Sequence, residues 1–132
     1  MAQATMTKKS TYKILVCDDL AEEGLKLFRE QKNFETIVKT KQPLEELKKS
    51  IADADACVVR SGTQITAEVI AAAKELKVIG RAGVGLDNVD VEAASKRGIV
   101  VVNTPGGNTV SAAELAFCLI MALARNVCEA NN

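Results

Sequence analysis

Five times along this chain a short, largely β-branched apolar run is followed by a stretch patterned as a helix or turn. This alternation constrains the fold more than any other feature. Residues 13–17 (KILVC) are short, apolar after Lys13, and bounded by Asp18-Asp19, which reads as a buried strand. Residues 20–31 place Leu20, Leu27 and Phe28 on one helical face. Residues 34–38 form a second strand, and Pro43 suits the first turn of a helix running to about residue 52. Residues 56–59 are a third strand, and Thr66 can cap a helix through residue 73. Residues 77–80 are a fourth strand, residues 90–97 a short helix stopped by Gly98, and residues 99–102 a fifth strand. Strands this apolar, separated by helices, imply a parallel sheet buried on both faces with right-handed crossovers. The expected architecture is therefore α/β: a flavodoxin-like, five-stranded parallel sheet in the order 2-1-3-4-5 with helices on both faces.

The last helix differs from the others. Ser111 and Glu114 match a capping box, with Val110 and Leu115 at the staple positions. Residues 115–124 are apolar on every face, which calls for burial all round, yet this run is too short to span a bilayer. The sheet can cover one side of such a helix; the other needs a second domain or a second subunit. The expected division is a flexible tail over 1–11, an α/β binding domain over 12–108, and an interdomain helix with a truncated end over 109–132.

Composition narrows the function classes. The 17 basic and 17 acidic residues balance, which argues against nucleic-acid binding. No membrane span and no apolar signal core is apparent, so a cytoplasmic location is expected. Cys17, Cys57, Cys118 and Cys128 form no C-x-x-C pair and read as reduced structural thiols rather than metal ligands. The absence of histidine rules out Ser-His and Cys-His pairs within the chain.

Ligands of parallel α/β sheets bind beyond the carboxyl ends of the strands. Those places hold Arg60-Ser61-Gly62-Thr63, Arg81-Ala82-Gly83-Val84-Gly85 and Asn103-Thr104-Pro105-Gly106-Gly107-Asn108. Arginine presents a rigid fork of donors that fits carboxylate or phosphate, and glycine lets backbone N–H groups approach an anion closely. The constellation points to a small anion bearing hydroxyl or carbonyl groups. Gly83-x-Gly85 is a poor dinucleotide fingerprint, because Asn88 stands at the third glycine position and no acidic residue follows at about 20 residues. The capping box accounts for Glu114. Asp18-Asp19 suggests the magnesium site of a phosphoacceptor receiver domain, but such a domain needs an aspartate and a lysine where Arg60 and Asn103 stand, so the pair reads as an N-cap for the first helix.

The segment Val78-Ile79-Gly80-Arg81-Ala82-Gly83-Val84-Gly85-Leu86-Asp87-Asn88-Val89-Asp90 resembles the V-x-G-R-x-G-x-G-x-D-N-[IV]-D signature of D-isomer-specific 2-hydroxyacid dehydrogenases. The segment from Asn103 to Leu115 (NTPGGNTVSAAEL) resembles the form typical of the D-3-phosphoglycerate dehydrogenase members, and Val59-Arg60-Ser61 with Thr63, Ile65 and Thr66 matches the same subgroup. The resemblance implies NAD-dependent oxidation of a D-2-hydroxy acid, 3-phosphoglycerate in those members, by a homo-oligomeric enzyme of serine biosynthesis. It implies substrate contacts from Arg60, Ser61, Arg81, Gly83, Val84 and Asn108, with Gly83 and Val84 offering backbone N–H groups. It also implies a weak cofactor contact at Val84, which stands where several members have a threonine on the nicotinamide side. The family's dinucleotide fingerprint and its catalytic arginine, glutamate and histidine lie beyond the end of this chain. The expectation is thus a piece of such an enzyme with no catalytic residue, no metal site and no tight NAD binding of its own, joined through residues 111–125 to an absent dinucleotide-binding domain or another subunit. The alternative is a stand-alone anion-binding or regulatory module that docks on a full-length relative.

Overall fold

The computed structural model describes residues 9–130, so the expected tail lies mostly outside the described residues. Five strands form one parallel sheet: β1 (Tyr12–Val16), β2 (Phe34–Val38), β3 (Ala56–Val59), β4 (Val78–Arg81) and β5 (Val100–Asn103). They run in the order β2-β1-β3-β4-β5, as the alternation implied. Between them lie α1 (Glu22–Arg29), α2 (Leu44–Ile51), α3 (Ala67–Ala72) and α4 (Val91–Lys96); α5 (Thr109–Ala124) and α6 (Val127–Ala130) follow.

Alternation along the strands sorts the sheet into two faces. Leu15, Cys17, Cys57, Val59 and Ile79 point to one face and join a single core with Leu47 and Ile51 of α2, Val69 and Ile70 of α3 and Ala94 of α4. Each fully buried aliphatic side chain here contributes roughly 1.5–3 kcal/mol. Val58 points to the opposite face, where it lines an apolar cleft with Gly24, Leu27 and Phe28 of α1.

Two local stops behave as the sequence suggested. The Thr66 hydroxyl accepts from Val69 N–H at 3.4 Å ahead of α3, and Gly98 takes a left-handed φ of 70° after α4. Asp90 caps α4, accepting from Ala93 N–H at 2.9 Å.

Three expectations are corrected. Asp18-Asp19 does not cap α1; Ala21 occupies that position without a side-chain bond, because the Asp18 carboxylate is taken up by the loop after β3. The capping box is not formed: α5 begins two residues before Ser111, at Thr109, and the Ser111 hydroxyl donates back to Asn108 O at 3.1 Å. The sheet was expected to cover one side of α5, yet none of its residues is buried. An all-round apolar helix has no single face that the sheet selects over the others. The short helix α6, after Asn126 at φ 49°, was not anticipated.

Candidate functional site

Three loops meet beyond the carboxyl ends of β3, β4 and β5, and each is fixed by a different device. The first is wrapped around a carboxylate. Asp18 follows the buried strand β1 and is itself only 9% exposed. Its Oδ2 accepts from Arg60 N–H at 2.6 Å and Thr63 N–H at 3.2 Å, and its Oδ1 accepts from the Thr63 hydroxyl at 2.7 Å. A Cβ at position 62 would stand 2.8 Å from Asp18 Oδ1, so any side chain there would push the carboxylate away from its donors. Burial alone would push the Asp18 carboxyl up; the N–H groups of Arg60, Thr63 and Gly62 and the Thr63 hydroxyl outweigh it and hold the group below the usual carboxylate range. The exposed Arg60 side chain donates to Asp19 O at 3.1 Å and borders a cavity of about 470 Å³, with Lys41, Gln42, Ser61 and Gln64 also on its walls.

The second loop carries Arg81, the register partner of Val59 across β3 and β4. Ala82 N–H donates to Val59 O at 2.8 Å, tying this loop to the first. The Arg81 side chain is only 12% exposed, and its Nε donates to Asn88 Oδ1 at 3.3 Å. Its guanidinium lies across Gly83: a Cβ there would stand 2.8 Å from Arg81 Cζ and closer still to Nη1. The Gly83 N–H donates to Arg81 O at 2.9 Å, whereas no described residue accepts from Val84 N–H. Of the two expected backbone donors, Val84 is thus the one left open in this conformation. Asp87 reaches Arg81 Nη2 only at 3.9 Å and is itself 85% exposed, a weak ion pair.

The third loop is tied to the second by Asn103 Nδ2, which donates to Val84 O at 2.7 Å, and by Thr104 N–H, which donates to Gly83 O at 3.0 Å. Gly106 turns the chain at φ 80°. Asn108 precedes α5 and is exposed; among the described residues no hydrogen bond joins its side chain to the other two loops. The structure therefore brings Arg60, Ser61, Arg81, Gly83 and Val84 onto one rim and places Asn108 beyond it, at the entrance to α5.

Two residues that organise this rim were missed by the sequence reading. Asn88 is 2% exposed, and its amide donates to Arg60 O at 2.8 Å and Thr63 O at 2.7 Å while accepting from Arg81. Asp18 was read as a helix cap. A carboxylate directly after four apolar residues already signals a buried charge in need of donors, since burying it unpaired is costly.

The rim is suited to holding an anion and poorly suited to proton transfer. The chain has no histidine, and burial, followed by the nearby Asp18 carboxylate, pushes the Cys17 thiol up to about 12. Gly83-Val84-Gly85 lacks the geometry of a dinucleotide fingerprint: no helix opens there to receive a pyrophosphate, and the next helix, α4, starts at Val91 and has six residues.

Comparison with known proteins accords with this geometry. The family model described as D-isomer specific 2-hydroxyacid dehydrogenase, catalytic domain, matches residues 14–130. D-3-phosphoglycerate dehydrogenase of Archaeoglobus fulgidus is 51% identical over 119 residues, 90% of this chain and 22% of the relative. D-3-phosphoglycerate dehydrogenase 2, chloroplastic, of Arabidopsis thaliana is 49% identical, over 90% of this chain and 19% of the relative. Among solved structures, the NAD+-bound 3-phosphoglycerate dehydrogenase of Entamoeba histolytica superposes with a TM-score of 0.75 at 37% identity, over 85% of this chain and 39% of that one. The TT0316 protein of Thermus thermophilus gives 0.79 at 39% identity, over 89% and 38%. The chain thus spans about a fifth of the length of the curated relatives it matches. With the family model matching most of its length and the signature residues gathered at the strand ends, the chain belongs to the D-isomer specific 2-hydroxyacid dehydrogenase family.

Proposed function

We propose that this chain is the substrate-binding portion of an NAD-dependent D-3-phosphoglycerate dehydrogenase, which oxidises 3-phosphoglycerate to 3-phosphohydroxypyruvate in serine biosynthesis, and that it is inactive alone. The observation that carries this is the pairing of two arginines on adjacent strand ends, one of them nearly buried and held by an asparagine. Two guanidinium groups suit a substrate that carries both a carboxylate and a phosphate. In this reading Arg60 and Arg81 hold the anionic groups, Ser61 and the Val84 N–H add neutral hydrogen bonds, the Gly83 backbone shapes the floor, and Asn108 closes the site from the side of α5. Val84, at 42% exposure, is the rim residue nearest to serving as a cofactor contact. NAD would supply the hydride acceptor from a second domain, and no step of that transfer is assigned to residues of this chain. Residues 12–108 form the binding unit in this proposal and residues 109–132 the connection to the second domain. The assembled enzyme is a cytoplasmic homo-oligomer.

The test is calorimetric titration of the purified chain with 3-phosphoglycerate and, separately, NAD. Heat from 3-phosphoglycerate and none from NAD is the expected result. Replacing the corresponding segment of the Archaeoglobus fulgidus relative by this chain should give a hybrid that oxidises 3-phosphoglycerate; a folded hybrid with no activity, together with no binding to the chain alone, would refute the proposal.

A second reading is favoured by α5, whose Val110, Leu115, Phe117, Leu119, Ile120 and Leu123 are all more than half exposed. That surface suits a stand-alone anion-binding module docking on a full-length relative. Co-purification with such a relative, combined with an inactive hybrid, would favour this reading over the first.

A further inference from the structure

We infer that Asn88 is a positioning residue whose amide fixes the Arg81 guanidinium in a binding-ready orientation and couples it to the Arg60 loop. The inference rests on the reading above that this rim receives an anionic substrate.

The polarity of the amide makes the case. Two carbonyl oxygens, Arg60 O at 2.8 Å and Thr63 O at 2.7 Å, face Nδ2, and a carbonyl can only accept. The NH2 group must therefore point at the first loop, which turns Oδ1 toward Arg81. An amide oxygen only accepts, so it selects the Nε–H of the guanidinium. With Nε held, the plane of the fork is set and its terminal nitrogens remain for a ligand. The Asn88 backbone is itself fixed: its carbonyl accepts from Ile65 N–H at 2.8 Å, and Asp90 N–H donates to Ile65 O at 2.9 Å. This places Asn88 between a fully buried Ile65 and a buried Val89, where it has little room to reorient. One side chain thus joins the loops that carry both arginines. Aspartate would face the two carbonyls with a second oxygen, and glycine or alanine would leave Arg81 Nε and both carbonyls without a partner.

The experiment uses this chain and 3-phosphoglycerate. Side-chain NMR of ¹⁵N-labelled chain reads the Arg81 Nε–H resonance, assigned by its loss in Arg81→Lys. A protected resonance is expected in the unsubstituted chain and in Asn88→Asp, which keeps the acceptor, and its disappearance is expected in Asn88→Ala. Persistence in Asn88→Ala, or loss in a folded Asn88→Asp, overturns the inference. Calorimetry then compares Arg81→Ala, Asn88→Ala and the double variant. Each single change should weaken 3-phosphoglycerate by roughly tenfold, from the strength of one charge-assisted hydrogen bond. If Asn88 acts in part through Arg81, the double variant loses less affinity than the product of the two single losses, the remainder coming from the Arg60 loop that Asn88 also holds. Multiplying losses would assign Asn88 a general structural role and refute the inference. If the unsubstituted chain does not bind 3-phosphoglycerate at all, the functional reading fails while the NMR comparison still decides whether Asn88 positions Arg81.

Discussion

Replacing Asp18 separates the charge that holds the Arg60 loop from the hydrogen bonds that shape it. In Asp18→Ala, the N–H groups of Arg60 and Thr63 lose their acceptor at a largely buried position, and the Thr63 hydroxyl keeps only Cys17 O at 3.2 Å. Losing hydrogen bonds to a charged group and leaving donors unsatisfied costs on the order of 3–5 kcal/mol in total. In Asp18→Asn the side-chain carbonyl can still face both N–H groups while the NH2 faces Thr63 Oγ1, whose hydroxyl then donates to Cys17 O. Only the charge assistance is lost, about 1–2 kcal/mol. The linkage sign follows from the lowered pKa of Asp18. Its stabilisation is fully present above the unfolded carboxylate value of about 3.9 and is lost as pH falls toward the lower folded value. Urea unfolding followed by far-ultraviolet circular dichroism, at pH 7 and at steps down to about pH 3, measures both effects. The wild-type chain should lose its advantage over Asp18→Asn below about pH 4, because protonation converts the carboxylate into a neutral group. If alanine costs no more than asparagine at pH 7, or if the advantage over asparagine is the same at both ends of the range, Asp18 is not the organiser of this loop.

Gly83→Ala drives a methyl into the Arg81 guanidinium, which must leave Asn88; because the displaced group is the far end of a long side chain, stability should fall by only about 1 kcal/mol while 3-phosphoglycerate affinity falls roughly tenfold, and an unchanged affinity in the folded variant would refute the arrangement. Thiol alkylation at neutral pH with peptide mass mapping should modify the exposed Cys118 readily and leave the buried Cys17 and Cys57 intact until denaturant is added, since burial raises both thiols. Saturating 3-phosphoglycerate, at about 100 times its Kd, should stabilise the chain by about 2.7 kcal/mol, raising Tm by roughly 10 °C for a chain of this size, whereas an equal rise with chloride of matched ionic strength would mean screening rather than a site. Thr36→Val removes a buried hydroxyl that has no partner among the described residues and should raise stability by about 1 kcal/mol, read from the urea midpoint.

The sheet was legible because its signal is redundant. Most strands are dominated by apolar residues, each is set off by a turn or helix, and the right-handed crossover rule leaves few ways to arrange five such units. β3 and the left-handed Gly98 are cases where local chemistry alone fixed the outcome. The rim was legible in part for the same reason: strand ends can be located from the sequence, and Arg60 and Arg81 follow directly. What pattern could not give is which polar groups meet across loops. Asp18 and Thr63 are 45 positions apart, and Asn88 and Arg60 are 28 apart. Their pairing depends on β1, β3 and β4 lying side by side, a tertiary fact. A local motif stood in for it each time, a helix cap for Asp18 and a failed glycine position for Asn88. The same bias produced the capping box at Ser111, where a good local pattern lost to a helix that begins earlier.

Two like charges on adjacent strand ends repel in the absence of a ligand, so the rim must hold its arginines against that force. It does so mainly with neutral or backbone groups rather than with carboxylates. Arg60 donates to a backbone carbonyl and Arg81 to an amide oxygen, while the nearest carboxylate to Arg81 is distant and exposed. Strong carboxylate partners would compete with an incoming anion for the same donors. Dipolar partners orient the guanidinium groups and leave most of their charge uncompensated. The one buried carboxylate nearby, Asp18, is turned inward to backbone N–H groups and the Thr63 hydroxyl, so it shapes the loop without neutralising Arg60. Orientation and charge are thereby handled by different residues. That division lets a rim built on a small set of strand-end loops keep its positive charge available while its geometry is already fixed.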